Sequence, residues 1–168
     1  MGRYRPPAPA KSPYITRAGY EHLRVEQQAL WVRRRDVTQA LAAAAAEGDR
    51  SENAEYIYRK KELREIDRRI RYLQQRLPVL KVIAKPPENR QQVFFAAWVT
   101  LENDAGEIHE YRIVGPDEID QQAGYISLDS PLAKALLKKA LDDQIDVETP
   151  AGMTRYWIIE IRYAEDDG

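Results

Sequence analysis

The chain has 168 residues, 43% hydrophobic and 32% charged, and its formal net charge of −1 excludes a uniformly basic nucleic-acid binder. That total hides a split, because residues 1–80 carry 17 Lys and Arg against 10 Asp and Glu, a net +7, whereas residues 81–168 carry 9 against 17, a net −8. With no cysteine, two distant histidines (His22 and His109) and no run near the roughly 18 apolar residues that span a bilayer, disulfide frameworks, thiolate or histidine metal clusters and membrane spans drop out. A bipolar chain of this kind points to separate parts with separate electrostatic partners. The opening MGRYRPPAPAKSPY has four prolines and no apolar stretch, so it is not a secretory signal, and a cytosolic location is expected.

Residues 1–13 read as a flexible, polyproline-like arm, since proline denies a segment both helix and ladder donors. From Thr16, a potential N-cap, the pattern turns helical. Leu23, Leu30, Val37 and Ala44 recur every seven residues, with Gln27, Arg34 and Leu41 between them, an imperfect seam. The next segment is stricter: Leu63, Ile70 and Leu77 form one seven-residue series and Ile66, Leu73 and Leu80 the other. Such a seam is the mark of helix packed on helix. Upstream it runs through Tyr56 and Arg59, where packing should loosen, and Pro78 should end the helix near Leu77. Gly48 is the breaker in the short connection between the helices, which forces them antiparallel. Residues 14–80 are therefore expected to form an antiparallel coiled-coil hairpin, a rod of roughly 40 Å with its tip near Gly48.

Beyond a proline-bearing linker at 81–88 the period changes from 3.6 to 2. Strands are expected at 93–103 and 107–115, joined at Asp104-Ala105-Gly106, and at 125–130, 145–150 and 154–165. Residues 131–141 read as a short amphipathic helix opened by Pro131. Residues 89–168 thus form a small, mostly antiparallel α+β domain with one helix, and the fold class is α+β.

Candidate chemistry concentrates at the hairpin turn. Asp49 and Glu52 stand three apart, so their carboxylates can converge as hard oxygen ligands suited to Mg²⁺. The same Asp-x-x-Glu spacing is also a capping box, and spacing by itself favours the cap. On the returning helix, Arg59, Lys60, Lys61, Arg64, Arg68, Arg69 and Arg71 form a basic run, with Lys61, Arg64, Arg68 and Arg71 spaced to share one outer face. Interspersed acids make a solvated face the plain reading, with Glu65 placed to pair Arg69. Asp129-Ser130-Pro131-Leu132 lies where strand becomes helix and reads as a cap followed by proline. The histidines and Trp31, Trp98 and Trp157 read as surface or packing residues.

GDRSENAEYIYRKKELREIDRRIRYL (48–73) closely resembles the tip and returning helix of the bacterial Gre transcript-cleavage factors, its GreB branch in particular. FFAAWVTLEND (94–104), YRIVGPDEID (111–120), YISLDSPLAKALLKK (125–139) and TPAG (149–152) resemble the same family's C-terminal domain, so the likeness covers roughly residues 14–163. The resemblance implies an FKBP-like second domain that docks on the rim of the secondary channel of bacterial RNA polymerase while the coiled coil enters that channel. It implies that Asp49 and Glu52 help hold a Mg²⁺ shared with the polymerase, catalytic for cleavage of the displaced RNA 3′ end. It further implies that Arg59, Lys60, Lys61, Arg64, Arg68 and Arg71 meet that RNA, and that Asp129, Ser130, Pro131 and Leu132 belong to the docking face. The expected protein is a monomeric accessory factor, not itself an enzyme, with no membrane partner. Its rival is a non-cleaving channel binder on the same fold, against which the intact Asp49 and Glu52 pair argues.

Overall fold

The computed structural model describes residues 10–48 and 53–164. The chain divides into two compact units: Tyr20–Leu80, and a second built from Lys81 onward together with the chain up to Gly19.

The first unit is a helical hairpin of α1 (Arg17–Ala45, whose first turn counts with the other unit) and α2 (Ala54–Arg76). The heptad reading holds. Leu23, Val37 and Ala44 of α1 and Ile66, Ile70 and Leu73 of α2 are buried, with Leu30 and Leu63 packed beside them. Even the weak positions Gln27, Arg34 and Leu41 are half-buried, because a seam this narrow shelters every side chain that lines it. Charged pairs close its edges: Arg34 Nε reaches Asp67 at 2.7 Å and Arg69 reaches Glu26 at 2.9 Å, while Arg33 bonds Glu62. Arg69 thus pairs across the seam rather than with Glu65. At its lower end α2 gives way to a single 3-10 turn, Leu77–Val79, since Pro78 lacks the amide an α-helix needs there.

The second unit holds a two-stranded parallel pair, β1 (Tyr14–Thr16) with β2 (Lys81–Ile83), and a five-stranded sheet. The sheet strands are β3 (Trp98–Asn103), β4 (Ile108–Val114), β5 (Tyr125–Ser127), β6 (Gln144–Thr149) and β7 (Gly152–Arg162), in spatial order β5-β4-β3-β7-β6. All pairs are antiparallel except β4 with β5. Period-two alternation sends Val99 and Leu101, Ile113, Ile145 and Val147, and Tyr156 and Ile158 to one face. There they pack with Ala133 and Leu136 of the single short helix α3 (Pro131–Leu136). The β3–β4 hairpin turns at the expected place: Asn103 Oδ1 accepts from the amides of Ala105 (3.0 Å) and Glu107 (2.9 Å), and Gly106 takes a φ of 77°.

Several boundaries differ from the sequence reading. Residues 14–16 are strand rather than hairpin, and 81–83 are strand rather than linker. Neither three-residue run carries a periodicity long enough to read, and each exists only because the other lies beside it. The arm ends earlier than residue 13: Ser12 donates its amide to Asp129 (2.9 Å), and Pro13 O accepts from Lys81 N (2.8 Å). β3 starts at Trp98, five residues late, after Ala96 in a left-handed conformation (φ 72°). α3 stops at Leu136 because the chain reverses through Lys138 at φ 68°, a break that no glycine or proline announces.

Glu118 is the one fully buried charged side chain among the described residues. Its carboxylate accepts from Thr16 N (2.8 Å), Thr16 Oγ1 (2.5 Å) and Gly115 N (3.0 Å), while Thr16 Oγ1 accepts from Gly19 N (3.0 Å) and so caps α1 as its sequence position suggests. A β-carbon at Gly19 would stand 2.3 Å from Glu118 Oε1, and one at Gly115 1.9 Å from Tyr14 O. Both glycines are required by this close approach of β1 to the β4–β5 connection.

Candidate functional site

The hairpin tip is bounded by Ala45, the last residue of α1, and Asn53, which N-caps α2. Asp49 and Glu52 lie outside the described residues. Their surroundings still decide one point. Asn53 Oδ1 accepts from Tyr56 N at 3.1 Å, the N-cap to N3 bond, so α2 begins after Glu52. The cap of α2 as described is therefore Asn53. The short side chain of Asn53 won that position because it sits one residue before the helical run.

Along α2, Lys60, Lys61, Arg64, Arg68 and Arg71 are exposed, and none makes an ion pair among the described residues. The seam faces the opposite side, so these cations project outward over three turns, and only the Lys60 ammonium rests near a ring, 5.9 Å from the Tyr56 centroid. Arg59 does not belong with them. It is half-buried at the seam and held by Glu55 at 2.7 Å and Glu62 at 3.0 Å, its pKa raised by the hydrogen bond it donates to Glu55 and then by that to Glu62. Burial alone would push the Glu62 carboxyl up, but bonds from Arg33 and Arg59 outweigh it and hold the group below the ordinary glutamate range. Arg59 therefore serves the hairpin, as its heptad position foretold.

The candidate docking residues at the start of α3 sort differently. Ser130 Oγ accepts from Ala133 N at 3.2 Å and caps the helix, and Leu132 packs on the sheet core. Asp129 accepts from the amide and hydroxyl of Ser12, a contact across 117 residues that spacing could not reveal. Pro131 remains exposed. Among the described residues no three His, Cys, Asp or Glu side chains gather into a metal cluster, and no helix is long and apolar enough to cross a membrane. His109 stacks on Tyr111 and Trp98 lies under the Arg162 guanidinium at 4.9 Å, so both are packing residues.

Residues 13–82 match a family model described as the N-terminal part of a transcription elongation factor, and residues 87–163 one described as the C-terminal part of GreA/GreB. The chain is 56% identical to the transcription elongation factor GreB of Pseudomonas aeruginosa over 97% of its length and 98% of that protein's. It is 55% identical to the GreB of Yersinia pestis over 94% of its length and 93% of that protein's. A solved structure of a GreA/GreB elongation factor from Nitrosomonas europaea is 21% identical, covering 90% of this chain and 100% of that chain with a TM-score of 0.41. With both halves matched and relatives alike over nearly the whole length, the chain belongs to the GreA/GreB family of transcription elongation factors.

Proposed function

We propose that the protein binds bacterial RNA polymerase, passes its hairpin into the secondary channel and stimulates cleavage of the RNA 3′ end in backtracked complexes. The observation that carries this reading is the outer face of α2, five cations that make no ion pair among the described residues, on a helix capped by Asn53 next to a tip whose sequence holds two carboxylates. Asp49 and Glu52 are hard oxygen donors for Mg²⁺, but two carboxylates leave most of an octahedral sphere open. The remaining ligands must come from the polymerase and the RNA phosphate, so the protein acts as an accessory factor and not as a nuclease alone. Bound there, Mg²⁺ supplies charge stabilisation for phosphodiester hydrolysis. Lys60, Lys61, Arg64, Arg68 and Arg71 attract the displaced strand through its phosphates, without sequence preference. Pro131 and its neighbours at the start of α3 face the channel rim, and the factor works as a monomer.

The test is a backtracked elongation complex incubated with the protein, with released RNA resolved by length on a gel. Release of short 3′ fragments only when polymerase, Mg²⁺ and factor are all present is expected; cleavage of free RNA by the factor alone, or none with polymerase, overturns the reading. Neutralising Lys60, Lys61, Arg64 and Arg68 should impair long-fragment release more than short. Its salt sensitivity should also fall, since each single-strand phosphate contact contributes about 0.7 to the log–log salt slope.

A further inference from the structure

We infer that Asn53 is a positioning residue of the tip, a strap that holds the end of α1 against the start of α2; this rests on the proposed cleavage function for its consequence but not for its geometry. Its side chain makes two bonds of opposite polarity. Oδ1 accepts from Tyr56 N at 3.1 Å, and Nδ2 donates to Ala44 O at 2.7 Å. Ala44 is buried in the hairpin seam and lies in the last turn of α1, where carbonyls lack helical partners. Glu47 N also reaches this oxygen, at 3.2 Å, in the tight turn that ends the helix. One amide thus caps the N-terminus of one helix and ties off the C-terminus of the other. Meanwhile the backbone carbonyl of Asn53 starts the α2 ladder by accepting from Ile57 N at 3.1 Å.

The chemistry explains why the residue is asparagine. Serine, aspartate and asparagine cap a helix about equally well. Only asparagine presents, two bonds beyond its β-carbon, an acceptor for the amide on one side and a donor for the carbonyl on the other. Aspartate would set a second acceptor against Ala44 O, and serine is too short to reach it. The cap alone does not demand the residue found. This one side chain joins the two helix ends from which the connection 46–52 leaves and to which it returns, and that connection carries Asp49 and Glu52 in the sequence. Positioning of this kind matters to catalysis because displacements on the order of 1 Å can cost about a hundredfold.

The test compares Asn53→Asp and Asn53→Ser with the full-length wild type, both keeping the cap and losing the strap. Hydrogen exchange should show the Tyr56 amide still protected while amides at 45–48 exchange faster, with helicity and polymerase affinity unchanged. Stimulated cleavage of a backtracked complex should fall by roughly two- to tenfold in both variants, the equilibrium weight of one hydrogen bond. Wild-type exchange at 45–48 together with wild-type cleavage in both variants overturns the strap. A wild-type protein that stimulates no cleavage overturns the proposed function instead, and the exchange measurement still decides the strap. Asn53→Ala, which loses cap and strap together, should also expose the Tyr56 amide and so separates the two roles.

Discussion

The hairpin and the sheet unit bury apolar surface on different scales. In the hairpin a single file of side chains, about one per turn of each helix, faces one partner helix, and the rest of each helix is left to solvent and to charge. In the sheet unit Val99, Leu101, Ile113, Leu136 and Ile158 are all fully buried in one continuous core fed by four strands and a helix. The narrow seam leaves an outer face of α2 to cations that make no ion pair among the described residues. The thick core leaves little such freedom: even its buried carboxylate, Glu118, is spent on joining β1 to the β4–β5 connection. Function is therefore expected where burial is thinnest, at the outer face and tip of the hairpin, and fold-breaking substitutions where it is thickest.

The sharpest way to break this contrast is at the tip. Asp49→Asn should reduce stimulated cleavage by at least a hundredfold with no loss of thermal stability, because Asn is a poorer Mg²⁺ ligand and the α2 cap belongs to Asn53. Full cleavage by this variant would remove the metal role. Next comes the core: Leu101→Ala should cost about 2–5 kcal/mol in a denaturant titration, and Leu73→Ala, in the narrow seam, should fall at the lower end of that range. Equal losses at the two positions would show that the seam is packed as tightly as the sheet.

Glu118→Ala should cost about 1–3 kcal/mol, since Thr16 N and Gly115 N would be left buried without acceptors. Amide exchange at those two residues, faster in the variant, would locate the loss. The smallest effect concerns Glu62. Its folded pKa lies below the unfolded one, so its pairs stabilise the hairpin above the ordinary glutamate value, and that contribution disappears as pH falls through the folded value. Melting curves of Glu62→Gln and wild type should differ slightly at neutral pH and converge in acid. A gap that widened on acidification would reverse the sign and contradict the Arg33 and Arg59 pairing.

The amino-acid sequence by itself determined the elements with a sustained period. Seven-residue spacing placed both helices and their seam, alternation placed five strands, and Pro78 and Ser130 marked a helix end and a helix start where the structure has them. Motif likeness singled out Asp49 and Glu52, which no spacing argument could separate from a cap. What only the tertiary structure decided are the contacts between residues far apart in the chain. Thr16 with Glu118, Ser12 with Asp129 and the β1–β2 pair each join segments too short to carry a period, and their pairing depends on surfaces that exist only after the core has formed. The same reason gave Asn53 both helix ends. A side chain's partner across the hairpin is set by how the two helices register, which local spacing does not record.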